Sequence, residues 1–123
     1  LWVIGSCCGW PEPSAGNKDK LVEGNWFIME TEIGSKVFHG VVEMPEGDLT
    51  FRFYAKLTGW DGGDSYGYKV DDEATNFEFN ADGVFEGTGM TGKGSYAFAG
   101  FPGGQMDITV DMNKNTVRFE LLK

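Results

Sequence analysis

The sequence has one histidine, His39, and two cysteines, Cys7 and Cys8, next to each other. A Ser-His-Asp or Cys-His catalytic centre would have to use that histidine. It sits inside a strand-like segment, where a histidine ordinarily serves as a surface or partner-bonded side chain. A structural zinc site usually takes four Cys/His ligands, and they are missing. Neighbours on an extended chain point apart, and a disulfide between them closes a strained small ring, so free thiols in or near a loop are expected. No apolar run approaches the roughly 18–20 residues that span a membrane, and no signal-peptide pattern is present. The chain starts on a strand-like Leu1-Trp2-Val3-Ile4 without an initiator methionine. A trimmed or mature fragment of a larger protein is therefore expected, with any targeting signal or anchor outside it. Basic residues are scarce, 10 against 19 acidic ones, for a net charge of −9. Such a surface repels phosphate backbones and anionic lipid, excluding nucleic acid as a partner, and leaves neutral or cationic ligands unopposed. The charge also serves solubility.

What the chain does have is glycine and aromatic rings. Nineteen glycines among 123 residues is about twice the usual ~7%. Ten Phe, four Trp and four Tyr make 15% aromatics. Aromatics suit a pleated, half-buried surface and glycines suit its turns, which points to an all-β chain. Residues 5–25 are rich in Gly, Pro, Ser and Asn and read as one long loop. Trp26–Met29 reads as a short strand. Val37–Met44 alternates, with Phe38, Val42 and Met44 on one face and His39, Val41 and Glu43 on the other. After a Pro45-Glu46-Gly47-Asp48 turn, Leu49, Phe51, Phe53, Ala55 and Leu57 point one way and Thr50, Arg52, Tyr54 and Lys56 the other. A one-residue slip would expose the whole apolar set, so the register is well determined. Weaker strands are expected at Ser65–Val70, Asn76–Asn80 (NFEFN), Val84–Glu86 and Ser95–Ala99. Met106–Met112 and Val117–Leu121 around Asn113-Lys114-Asn115 form a hairpin by pattern and turn chemistry. Short strands at this spacing predict a single antiparallel β-sandwich of about seven strands over residues 1–123.

Two carboxylates flanking a cleft suffice for a glycosidase, but nineteen acidic residues always supply pairs and discriminate nothing. Asp61, Asp64, Asp71 and Asp72 crowd one loop in a way calcium tolerates. Their spacing does not match an EF-hand, and turn-forming aspartates explain them equally, so no metal is expected. Sugar rings present C–H faces that stack on Trp and Tyr, while their hydroxyls need polar groups at the rim. Trp60, Tyr66 and Tyr68 lie within nine residues. Asp61, Asp64 and Lys69 are interleaved with them, and Arg52 and Lys56 stand on the outward face of the preceding strand. These eight are the candidate glycan-binding residues. Trp60 stays open between site and core. Trp10 and Trp26 are secondary candidates, read first as core, and Trp2 as core or sheet surface.

The order of these elements resembles the starch-binding-type sandwich domains of SusE/SusF-like outer-membrane lipoproteins of Bacteroidetes. The resemblance rests on LWVIGS at residues 1–6, Gly9-Trp10-Pro11, FHGVVEMPEGDLTFRFY at 38–54, the aromatic loop at 59–68 and GQMDITVDMNKNTVRFELL at 104–122. It spans nearly the whole chain, although 70–103 matches only in style. It implies an immunoglobulin-like sandwich without catalytic activity or cofactor, holding a neutral oligosaccharide or polysaccharide at the extracellular face of the outer membrane. It further implies a lipid anchor outside this segment and a TonB-dependent transporter complex as partner. Trp60, Tyr66 and Tyr68 best fit the family's aromatic platform. The acidic loop GWDGGDSYGYKVDDE is longer than the family's pattern, and no polar binding residue of the family maps onto it. The alternative is a structural spacer or protein-interaction domain of such a lipoprotein.

Overall fold

The computed structural model describes residues 1–60, 65–67, 74–88 and 94–122. Among them, ten strands form two five-stranded sheets packed as a β-sandwich. The all-β antiparallel sandwich is as expected. The strand count exceeds the expected seven because three strands of only two or three residues pair as well. The first sheet holds β1 (Trp2–Gly5), β4 (Gly47–Tyr54), β8 (Ser95–Phe101) and β6 (Ala74–Asn76) in that order, with β5 (Ser65–Tyr66) also on β4. The second runs β2 (Met29–Glu30), β3 (Val37–Met44), β9 (Gly104–Asp111), β10 (Thr116–Leu121) and β7 (Val84–Thr88). β6 pairs parallel with β8, and the other pairs are antiparallel.

Two connections cross between the sheets side by side. β3 pairs with β9 up to Met44↔Gly104, and β4 pairs with β8 from Gly47↔Phe101 onward. The paired strands therefore turn one corner together, and a register shift between Gly47 and Leu49 marks the bend. Gly47 (φ 119°) and Gly104 (φ 126°) hold backbone conformations there that a side chain would oppose.

The core follows the alternation. Leu49, Phe51 and Phe53 of β4 meet Val42, Met44, Met106, Ile108, Val110, Val117 and Phe119 of the facing sheet. Phe51 sits at its centre, with ring centroids 5.4 Å from Phe119, 5.7 Å from Tyr96 and 5.9 Å from Phe53. Such contacts add about 0.5–1.5 kcal/mol per pair beyond area burial.

Three expectations are corrected. The strand read through Leu57 ends at Tyr54, and Ala55 is exposed. The NFEFN strand is absent: β6 stops at Asn76, and Phe77–Asn80 is irregular. Phe77 is nonetheless buried, 4.9 Å from Phe85 and 5.3 Å from Phe98, so the alternation there reflects packing without a ladder. The long 5–25 loop contains a 3₁₀ turn at Ser6–Cys8, another at Ala15–Asn17 and a helix α1 (Lys18–Glu23). Six residues are too few to show periodicity, and only Leu21 of α1 is buried. Leu21 closes a second small core with Ile4 and Tyr54 on the outer face of the first sheet, where Trp2, Trp26 and Leu57 pack around them.

Candidate functional site

The site grows out of that second core. Tyr54 follows Phe53 on β4, so it faces outward where Phe53 faces inward. It is buried because α1 covers it. The chain after β4 rises over this base as Leu57-Thr58-Gly59 and delivers Trp60, whose ring meets Tyr54 edge-on at 5.9 Å and 71°.

A second loop brings Trp10 to the same place. The Ser6–Cys8 turn ends at Gly9 (φ 81°), and Trp10 itself is left-handed (φ 52°), its N–H donating to the Gly5 carbonyl at 2.9 Å. A bulky residue in this region is an outlier that costs about 1–3 kcal/mol and persists only where its surroundings enforce it. Here the chain is pinned on both sides of the residue. Beyond Pro11 and Glu12, the Gly59 N–H donates to the Pro13 carbonyl at 2.7 Å, and Ser14 bridges to Thr58. The two loops are thereby laced together just below their tryptophans.

The result is a pair of indoles with centroids 6.4 Å apart, tilted 54° to each other. Trp10 is 41% exposed and Trp60 40%, so each ring is partly packed and partly open to solvent. Two tilted rings make an angled rather than flat surface, suited to a curved chain of rings or to one ring on each indole. Lys56, Thr58 and Glu12 on the same two loops are exposed. An apolar platform with polar groups at its rim is the anatomy of a small-molecule site.

The structure separates the sequence candidates. Trp60 lies in the site. Trp10, read first as core, is exposed beside it, because the left-handed turn swings it out of the loop's interior. Tyr66 does not join them. It is cross-strand partner of Phe53, and directly paired residues share a face, so it points inward and packs against the main core. It lines a cavity of about 340 Å³ with Leu1, Phe38 and Met112 at the other face of the sheet. Arg52 shares the outer face of β4 with Tyr54 but is partly buried against the chain at Gly67, where an added Cβ would lie 3.4 Å from its Cζ. Lys56 is exposed past the end of β4. Trp26 is partly buried between the two cores, as read. Asp61, Asp64, Tyr68 and Lys69 lie outside the described residues, as do Asp71 and Asp72 of the acidic loop. Tyr54 was missed because outward alternation reads as exposure. The clue to its cover was Leu21-Val22, an apolar pair inside an otherwise polar loop.

The remaining chemistry lies elsewhere. His39 pairs with Asp107 at 3.0 Å on the outer face of the second sheet, which gives the lone histidine a bonded surface role. A groove of about 600 Å³ on the same sheet is lined by Glu86, Thr109, Asp111, Lys114, Thr116 and Arg118, among others, with no aromatic ring. Its guanidinium is already engaged: Arg118 donates to Glu120 at 2.7 Å, a bond that raises its pKa, and meets Glu86 at 3.5 Å. Among the described residues no three His, Cys, Asp or Glu side chains are placed to hold a metal ion. No protein-family model, curated protein or solved structure matches this chain.

Proposed function

We propose that this chain is a non-catalytic carbohydrate-binding domain that holds a neutral glycan on the Trp10–Trp60 pair. The reading follows the SusE/SusF-like surface lipoprotein domains that the sequence resembles. They imply an outer-membrane setting, an anchor outside this segment and a TonB-dependent transporter complex as neighbour. The observation that carries the proposal is the meeting of two half-exposed indoles from two loops, one of them held in a costly backbone conformation. Strain of this kind concentrates where a side chain is kept in place for binding. The negative surface favours an uncharged ligand over a polyanion. Affinity electrophoresis through gels holding neutral polysaccharides, glycogen and amylopectin among them, tests it. The parent chain is retarded by at least one of them, and Trp60→Ala migrates as in a blank gel with its melting temperature nearly unchanged. Retardation that survives Trp60→Ala would remove the platform from the account.

A second reading, a spacer or protein-interaction domain, has one observation in its favour. An apolar groove of about 390 Å³ is lined by Leu1, Trp2, Phe27, Met29 and Phe38, among others, with Met29 67% exposed. A broad glycan array without a single hit would favour this reading.

A further inference from the structure

The two cysteines differ from the platform in chemistry, though they sit just before it in the chain. On an extended backbone their side chains would point apart. The 3₁₀ turn Ser6–Cys8 instead turns both sulfurs to one side, 3.9 Å apart, with the Cys7 thiol donating to the Cys8 sulfur. Both are free thiols; Cys7 is buried against the main core and Cys8 is partly exposed. The turn is fastened to the sheet, because the Ser6 hydroxyl accepts the Thr50 N–H at 2.9 Å. The Cys8 sulfur also lies 3.6 Å from the Gly5 carbonyl and 3.8 Å from that of Val3. The hydrogen bond from Cys7 pulls the Cys8 pKa down to about 7. The same bond, together with burial, pushes Cys7 up. The partly exposed sulfur of Cys8 therefore has a second sulfur held beside it.

We propose that Cys7 and Cys8 form a pre-oriented vicinal dithiol that chelates a soft, thiophilic centre of the class of monosubstituted trivalent arsenicals. Soft thiolate ligands select soft centres. With an organoarsenic oxide, two As–S bonds form and the arsenic–oxygen bonds break. The two thiol protons leave with the oxygen as one water, and no electrons are transferred. The partly exposed Cys8 attacks first, since the thiolate is the nucleophile, and Cys7 closes the ring. A single bridging atom joins the sulfurs without bringing them to the ~2.05 Å of an S–S bond, so the strain of a vicinal disulfide does not arise. With no third ligand of the His, Cys, Asp or Glu types grouped with them among the described residues, a closed four-ligand zinc site is not available to them, whereas a two-sulfur centre is.

Phenylarsine oxide added to the intact chain in neutral, denaturant-free buffer tests this. Intact mass should show one arsenical per chain with loss of one water. The adduct should survive a large excess of 2-mercaptoethanol and be removed by 2,3-dimercaptopropanol. Cys7→Ser and Cys8→Ser should each yield adducts that the monothiol strips. An adduct on the parent chain that the monothiol removes as readily, one that forms only in urea, or one arsenic shared by two chains would overturn the proposal. The contrast between monothiol and dithiol on the parent chain needs no variant, so it holds even where Cys7→Ser fails to fold.

Discussion

The two faces of the first sheet use aromatic side chains in opposite ways. Inward, phenylalanine dominates: every Phe except Phe27 is in the main core or packed against it. Outward and at its edge, Trp takes over together with Tyr54, and none of the four tryptophans is fully buried, while Tyr66 and Tyr96 stay with the inner core. The difference is physical. A Phe ring asks nothing of its surroundings but contact, whereas an indole N–H wants a partner and favours places with one dry and one wet side. The inner face therefore stabilises the sandwich, and the outer face, covered among the described residues by the short α1 with Trp26 and Leu57, leaves Trp10 and Trp60 partly exposed.

That contrast can be broken by substitution, starting at the centre of the inner face. Phe51→Ala, at a fully buried ring among Phe53, Phe77, Tyr96 and Phe119, should cost about 3–5 kcal/mol. Chemical denaturation should show it as a lowered midpoint with little change in slope. Leu21→Ala removes the cover of the outer core, where Leu21 is also fully buried. Its expected loss is about 2–5 kcal/mol, with binding weakened as well, because Tyr54 under Trp60 loses its packing. A Leu21→Ala protein of unchanged midpoint would show that α1 covers nothing of consequence.

Tyr66→Ala sharpens the comparison. This tyrosine was grouped with Trp60 by sequence proximity but sits on the inner side. The substitution should lower stability by about 1–2 kcal/mol, a typical effect of thinning partly buried packing, and leave polysaccharide retardation as in the parent. Retardation lost together with stability unchanged would return Tyr66 to the site. Smallest of all, Asp107→Asn replaces the carboxylate that meets His39 at 3.0 Å, a contact partly open to solvent. The expected change is below about 1 kcal/mol in thermal unfolding.

The sequence made the β3–β4 and β9–β10 segments legible because their alternation runs over eight residues or so and coincides with turn chemistry. β3 matches its expected range, Val37–Met44. Asn76–Asn80 misled for an instructive reason. Its two Phe rings share a face and pack against Phe85, Phe98 and Phe101, which alternation reports faithfully. The backbone ladder, however, ends as the segment begins: the Phe77 N–H still bonds Ala97 as the last rung of the parallel β6–β8 pairing, whereas the Asn80 N–H turns to Val84. Trp60 was legible as a candidate by residue type and loop context. Its actual neighbour, fifty residues earlier, was not. No local pattern says that Gly9 and Trp10 are left-handed or that Pro13 accepts from Gly59, and those contacts assemble the pair.

The central claim is that Trp10 and Trp60 act in binding while contributing little to stability. Trp10→Gly tests it most directly, because glycine accepts the left-handed backbone that tryptophan resists. Affinity electrophoresis and thermal unfolding would be run on the same preparation. The account predicts that retardation by the polysaccharide disappears and that stability stays within about 1 kcal/mol of the parent. A variant that unfolds, or one that is still retarded as strongly as the parent, would contradict it.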